Sequence, residues 1–323
     1  MTNKEIYSRT LTFSLHRLLF DLLAFLTLGV FAFGGFFAMD KLNDKGLLGL
    51  GIGLVLGIVA LVVILRYVSY TYKAGQIAMM ARAVTEGRLP ENVLAEGKAV
   101  VKERFLTVAV FFAVTGAVKR IFNQLSRGLN SVGQAIGGDR GGDVASIISS
   151  VIQVVINYLC DCCLGWIFFR KEQNAAKAAC EGAVLFFKHG KTLIKNMGRI
   201  FGLGILSLLV IGGAFFGLFY AIFSAFPAVF TALASEFAET AARFEGEAAA
   251  ILTDPRMLLL IAAGIAAVIL WSILHSVFVR PFVLVGVLRN YMESGVRDIP
   301  TEASFDALDS KSARFRKLHT EGV

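Results

Sequence analysis

The sequence predicts an all-α, polytopic membrane protein with about six transmembrane helices. Three observations lead there. Hydrophobic residues fill 56% of the 323 positions and charged residues only 17%, whereas a soluble domain carries about a quarter charged. Several apolar runs reach the roughly 20 residues with which a helix crosses a ~30 Å hydrocarbon core. Lys and Arg cluster between those runs, on one side of the implied membrane. The 28 Phe, 32 Gly and 5 Pro suit long apolar helices packed through small residues. The formal charge of +8 follows from the loops between spans, so it calls for no nucleic-acid partner.

Five runs are long enough to span: 18–39, 46–65, 144–169, 199–225 and 257–279. A sixth, 105–118, is shorter and ends on Lys119-Arg120, whose side chains can snorkel to an interface. With the N-terminus placed inside, segments 1–17, 66–104, 170–199 and 280–323 are cytoplasmic. They hold 24 of the 32 Lys and Arg and a net +11, and the outside loops hold a net −1. Both termini therefore read as cytoplasmic, in a cell membrane. The N-terminus is polar up to Arg9, and no cleavable signal pattern follows the first apolar run.

The inside segments resemble one another. Ala81-Arg82-Ala83-Val84-Thr85-Glu86-Gly87, Lys177-Ala178-Ala179-Cys180-Glu181-Gly182 and Arg289-Asn290-Tyr291-Met292-Glu293-Ser294-Gly295 each follow a pair of apolar runs. Pro300 echoes Pro90, and the step from Lys98 to Lys102 recurs from Lys191 to Lys195. Three units of two spans and one amphipathic cytoplasmic helix fill the chain. Alternatively, any helix leaving a membrane gathers Ala, Lys and Glu and stops at Gly. Segment 170–199 mixes an apolar face with Lys171, Lys177, Lys188, Lys191 and Lys195. Such a helix is expected to lie in the headgroup layer with its lysines on anionic lipid. The outside loop 226–256, with Glu236, Glu239, Glu245 and Glu247 among alanines, suits a solvated helix.

Asp161 lies inside the fourth run, four residues after Asn157 and on the same helix face. A charge there costs at least ~2.5 kcal/mol on insertion scales and faces a bundle interior or a wet cavity. Asn157, Asp161 and His275 are the candidate substrate- or ion-binding residues. The competing reading is a carboxyl held in a closed hydrogen bond. Asp21 stands four residues after Arg17, the spacing of an interfacial ion pair. Cys160, Cys162, Cys163 and Cys180 form no disulfide framework. They read as small packing residues rather than metal ligands, and no cofactor is expected. Gly49, Gly53 and Gly57, and again Gly213 and Gly217, form Gly-x-x-x-Gly stripes for close helix packing, within the fold or between protomers. Gly190-Lys191-Thr192 lacks the first Gly and the preceding strand of a phosphate loop. No hydrolase, zincin or other catalytic motif is present, so no enzyme is expected.

The stretch 146–201 resembles the choline transporter-like family. Ser146-Ile147-Ile148 with Val151-Ile152-Gln153-Val154-Val155 is similar to that family's apolar helix with a Val-Gln-Ile-type step. Cys162-Cys163-Leu164-Gly165-Trp166 is similar to its Cys-Cys-Leu/Phe-Trp segment. Gln173-Asn174-Ala175 and Lys195-Asn196-Met197 are similar to its Arg-Asn-Ala and Met-Arg-Asn positions. The likeness covers under a fifth of the chain, and the family is longer, with more spans and a large extracellular loop. It implies a solute- or lipid-related transport scaffold and carries no substrate over. Two functions are thus expected: a transporter or channel-like protein using Asp161, or a non-enzymatic membrane scaffold or complex subunit, including a homo-oligomer.

Overall fold

The computed structural model describes residues 1–43, 45–67, 69–105, 113–121, 123–124, 141–194, 197–241, 251–310 and 312–321. For 43, 47, 65–67, 141–152, 187, 189–194, 197–199, 239–241 and 321 it describes the backbone alone. All described elements are helical or turns between helices. In order they are α1 (Asn3–Asn43), α2 (Gly46–Tyr67), α3 (Ser69–Glu86), α4 (Val93–Arg104), α5 (113–121), α6 (Gly141–Phe169) and α7 (Ala175–Ile194). There follow α8 (Met197–Ser207), α9 (Gly213–Ser224), α10 (Pro227–Ala241), α11 (Pro255–Leu274), α12 (Arg280–Arg297), α13 (Glu302–Asp309) and α14 (Ala313–Glu321). Single π-helical turns, Leu208–Gly212 and His275–Val279, join α8 to α9 and α11 to α12.

Four stretches are long and apolar enough to cross a membrane: Asn3–Leu42, Leu48–Glu86, Ile200–Ser224 and Pro255–Arg297. These cover four of the six expected runs. Of the other two, 105–118 falls partly outside the described residues, and 144–169 is helical but described by backbone alone up to residue 152. Within the latter, Gln153–Phe169 is an apolar stretch shorter than a span. At 1.5 Å per residue the 41 residues of α1 extend about 60 Å, twice the hydrocarbon thickness.

The chain forms two compact units. Unit one holds Met1–His16, Tyr70–Ile200 and Arg280–Val323; unit two holds Arg17–Ser69 and Phe201–Val279. Their surfaces are built on opposite principles. In unit two the large apolar side chains point outward: Leu19, Val30, Val55, Leu209, Ile265 and Val268 are all more than half exposed. Small residues make its inner contacts. A Cβ on Gly49 would collide with the Gly35 carbonyl, one on Gly53 with the Phe31 carbonyl, and one on Gly57 would lie 2.9 Å from Leu28. The first Gly stripe therefore joins α2 to α1 within the fold. The second does not have that role. Gly213 and Gly217 would meet nothing within 4 Å among the described residues.

Unit one buries its apolar residues and, Asp161 and Glu181 apart, keeps the charges of its described side chains at least part-exposed. Its core includes Ile77, Met80, Leu159, Trp166, Tyr291 and Phe315. It holds 26 of the 32 Lys and Arg and 16 of the 24 Asp and Glu, a net +10 against −2 for unit two. Three helical hairpins build it: α3 with α4, α6 with α7, and α12 with α13 and α14. Gly87, at φ 71°, ends α3 in a conformation that L side chains rarely adopt. Asn92 and Asn174 cap the second helices of the first two hairpins, accepting from Ala95 N at 3.0 Å and Lys177 N at 2.7 Å. Phe13 of α1 fills a notch that exists because residues 75 and 97 are glycine: a Cβ on either would run into its ring.

The amphipathic helix expected in the headgroup layer is corrected here. Ala178, Ala179, Cys180, Ala183, Val184 and Leu185 of α7 are buried, because α6, α12 and α14 pack on that face. Protein, not lipid, covers its apolar side. Lys177 and Lys188 pair with Glu302 at 3.6 Å and Asp298 at 2.6 Å. Lys171 is exposed, the Lys191 side chain is outside the described residues, and so is all of Lys195. Glu236 lies on α10. Glu245, Glu247 and the Glu239 side chain lie outside the described residues.

Candidate functional site

The polar centre of unit one is Asp161, 4% exposed. Its two oxygens face two cations from two other helices. Lys73 Nζ of α3 lies 2.7 Å from Oδ1, and Arg280 Nη2, the first residue of α12, lies 2.5 Å from Oδ2. Arg280 also donates to the Asn157 carbonyl at 3.0 Å and stands over the Tyr158 ring, 5.5 Å from its centroid. One carboxylate thus ties together the leading helices of all three hairpins. The triad carries a net +1. Charge-assisted hydrogen bonds to both oxygens satisfy an ion that would be costly to bury alone.

Of the sequence candidates, Asp161 and Asn157 meet at Arg280, Asn157 through its backbone. His275 makes a hydrogen bond within unit two. Its Nδ1 lies 2.9 Å from Ser207 Oγ, which also accepts from Trp271 Nε1 at 3.2 Å. The Ser207 hydroxyl lies 2.8 Å from the Gly204 carbonyl. Both π-helical turns begin at this cluster, after Ser207 and at His275. A second polar group in unit two joins Arg17, Asp21, Ser69 and Ser276. Arg17 and Asp21 lie 3.6 Å apart, Ser69 Oγ donates to Asp21 at 2.7 Å, and Arg17 donates to Ser276 Oγ at 2.5 Å.

Lys73 escaped the sequence reading, although a signal exists. Ser69, Asn157 and Ser276 each stand four residues before Lys73, Asp161 and Arg280. Nine residues after those three come Arg82, Arg170 and Arg289. The register continues in the contacts. Arg82 bonds Glu96, and Arg170 bonds Glu181, each at 3.0 Å. Both acids precede a glycine, Gly97 and Gly182. The third arginine instead ties down the N-terminus, donating to Asn3 Oδ1 at 2.6 Å and the Met1 carbonyl at 2.7 Å.

The cysteines act by size. Cys163 Sγ donates to the Ala179 carbonyl, and a Cβ on Gly182 would lie 2.5 Å from that sulfur. Burial pushes the Cys180 thiol up to about 12. Among the described residues no group of three His, Cys, Asp or Glu is placed to hold a metal. Comparisons with protein families, curated proteins and solved structures find no match to this chain.

Proposed function

We propose that this protein is a non-enzymatic membrane scaffold, holding a basic, folded helical body at the cytoplasmic face of the membrane. One observation carries the reading. Both oxygens of Asp161 are engaged, by Lys73 and by Arg280, so the one acid within the apolar run 144–169 acts as a clamp between hairpins. The segregation of charge, +10 in unit one, supports a cytoplasmic position beside anionic headgroups. The equal spacing around Lys73, Asp161 and Arg280 supports descent of the three hairpins from one ancestral unit. Four spans or six, the count is even, and both termini share the cytoplasmic side.

Transport of a small solute or lipid is the second reading. The local resemblance of 146–201 to the choline transporter-like family and the polar cluster around His275 favour it. One experiment separates the two. The full chain is reconstituted in liposomes, and the flux of small ions and choline-like cations is compared with that of Asp161→Asn. The scaffold reading expects background flux from both proteins and a lower melting temperature for the variant. A wild-type flux that Asp161→Asn abolishes while the protein stays folded would establish transport instead.

A further inference from the structure

The first two hairpins match in register but not in filling. Five residues after Asp161 stands Trp166, and five after Lys73 stands Ala78. Four residues after Glu181 and Glu96 stand Leu185 and Val100. In the second hairpin the Trp166 indole fills the space at this level. Its Nε1 donates to Glu181 at 3.0 Å, and a Cβ on Gly295 would lie 2.5 Å from its ring and 2.7 Å from Leu185. In the first hairpin the matching level is open. A cleft of about 260 Å³ is lined there by Ala78, Met79, Arg82, Glu86, Val100 and Phe168, with Lys171 and Glu172 at its edge. A further 120 Å³ continues past Val100 and Phe168 towards Arg104. Ala78, Met79, Val100 and Phe168 are buried, and Glu86, Lys171 and Glu172 are exposed.

From this we infer that the cleft between α3, α4 and the end of α6 binds an indole-type aromatic side chain presented by a partner polypeptide. The inference rests on the scaffold reading and names where the scaffold grips. The buried apolar floor takes the ring. The Glu86 carboxylate on the rim accepts its N–H, as Glu181 does for Trp166. The Arg82 guanidinium supplies a cation for the ring face. An aromatic anchor in a pocket with a charged rim is the usual energetic centre of a protein interface. Arg82 is already held by Glu86 and Glu96 at 3.0 Å each, so the rim stays charged, and an acyl chain would make no use of it.

The test uses the full chain in detergent or nanodiscs, titrated with N-acetyl-tryptophanamide, N-acetyl-leucinamide and octanoate. The tryptophan probe should bind at least tenfold more tightly than the other two. Ala78→Trp should abolish that binding by filling the cleft from within, at an unchanged or higher melting temperature. Glu86→Gln, on the exposed rim, should weaken it severalfold, and this arm decides the matter even if Ala78→Trp fails to fold. Equal binding of the leucine probe, preferential binding of octanoate, or affinity indifferent to Glu86→Gln would overturn the site. Probe binding in a chain that also carries Asp161-dependent flux would overturn the scaffold reading and leave the cleft standing.

Discussion

Lys73 reaches Asp161 across 88 residues of chain, Nζ to Oδ1, at 2.7 Å. The bond is one arm of a clamp on a buried acid; the other arm is Arg280, and both cations are part-exposed. Removing the shared acid leaves two cations without their counter-ion. Asp161→Asn should therefore destabilise unit one by about 3–5 kcal/mol, read as a loss of melting temperature in detergent. The charge-free triple variant Lys73→Met, Asp161→Leu, Arg280→Met should recover much of that loss. A triple variant as unstable as Asp161→Asn would show that the ions themselves are required.

The two Arg–Glu bonds offer a matched pair at one register and two depths. The Glu181 side chain is 3% exposed and Glu96 is 45% exposed. Glu181 accepts from Trp166 as well as from Arg170. Neutralising Glu181 with Gln should cost about 2–5 kcal/mol, because a half-buried guanidinium and a buried indole lose a common charged acceptor. Glu96→Gln should cost less than about 1 kcal/mol. Equal effects, measured by denaturation of the two variants, would contradict the difference in burial.

Glycine substitutions should divide along unit two. Gly53→Ala puts a methyl group into the Phe31 carbonyl, so it should separate α1 from α2 and destabilise by about 1–3 kcal/mol. Gly217→Ala meets open space and should be neutral, or stabilising by up to about 1 kcal/mol, as for other helix-interior glycines. Thermal unfolding of both variants in the same detergent checks the contrast.

Thiol chemistry should be slow in the folded protein. Burial holds Cys180 at about 12, so almost no thiolate exists at neutral pH. Raising the pH towards 12 should accelerate its alkylation, because the thiolate fraction rises with each unit. Cys160, the only half-buried cysteine, should label first, while Cys162 and Cys163 stay protected until unfolding. Mass spectrometry after timed maleimide exposure reads the order directly.

The helical character of the chain and the packing role of Gly49, Gly53 and Gly57 were legible because each is a local pattern. The Gly35 and Phe31 carbonyls follow from them once α1 and α2 lie side by side. The partner of Asp161 was not legible in the same way. Ion-pair rules reach three or four residues along a helix, and Lys73 lies far outside that range. Only alignment of the three hairpins on Ser69, Asn157 and Ser276 brings it into view. The lysine-rich α7 was misread for a related reason. A one-sided apolar pattern requires that the face be covered, but says nothing of whether lipid or protein covers it. Tyr291, whose hydroxyl donates to the Gly182 carbonyl at 2.6 Å, sits more than a hundred residues further along the chain. His275 bonds Ser207, 68 residues away, a partner equally beyond the reach of local spacing.

Unit one is discontinuous, drawn from Met1–His16, Tyr70–Ile200 and Arg280–Val323, and that order imposes a timetable on biosynthesis. As the ribosome proceeds, Asp161 first meets Lys73 and waits for Arg280, which emerges more than a hundred residues later. During that interval Tyr291, Phe305 and Phe315 have not yet been made, and the apolar sides of α6 and α7 stand uncovered. Closure of the clamp therefore waits until synthesis has passed Arg280, 119 residues after Asp161.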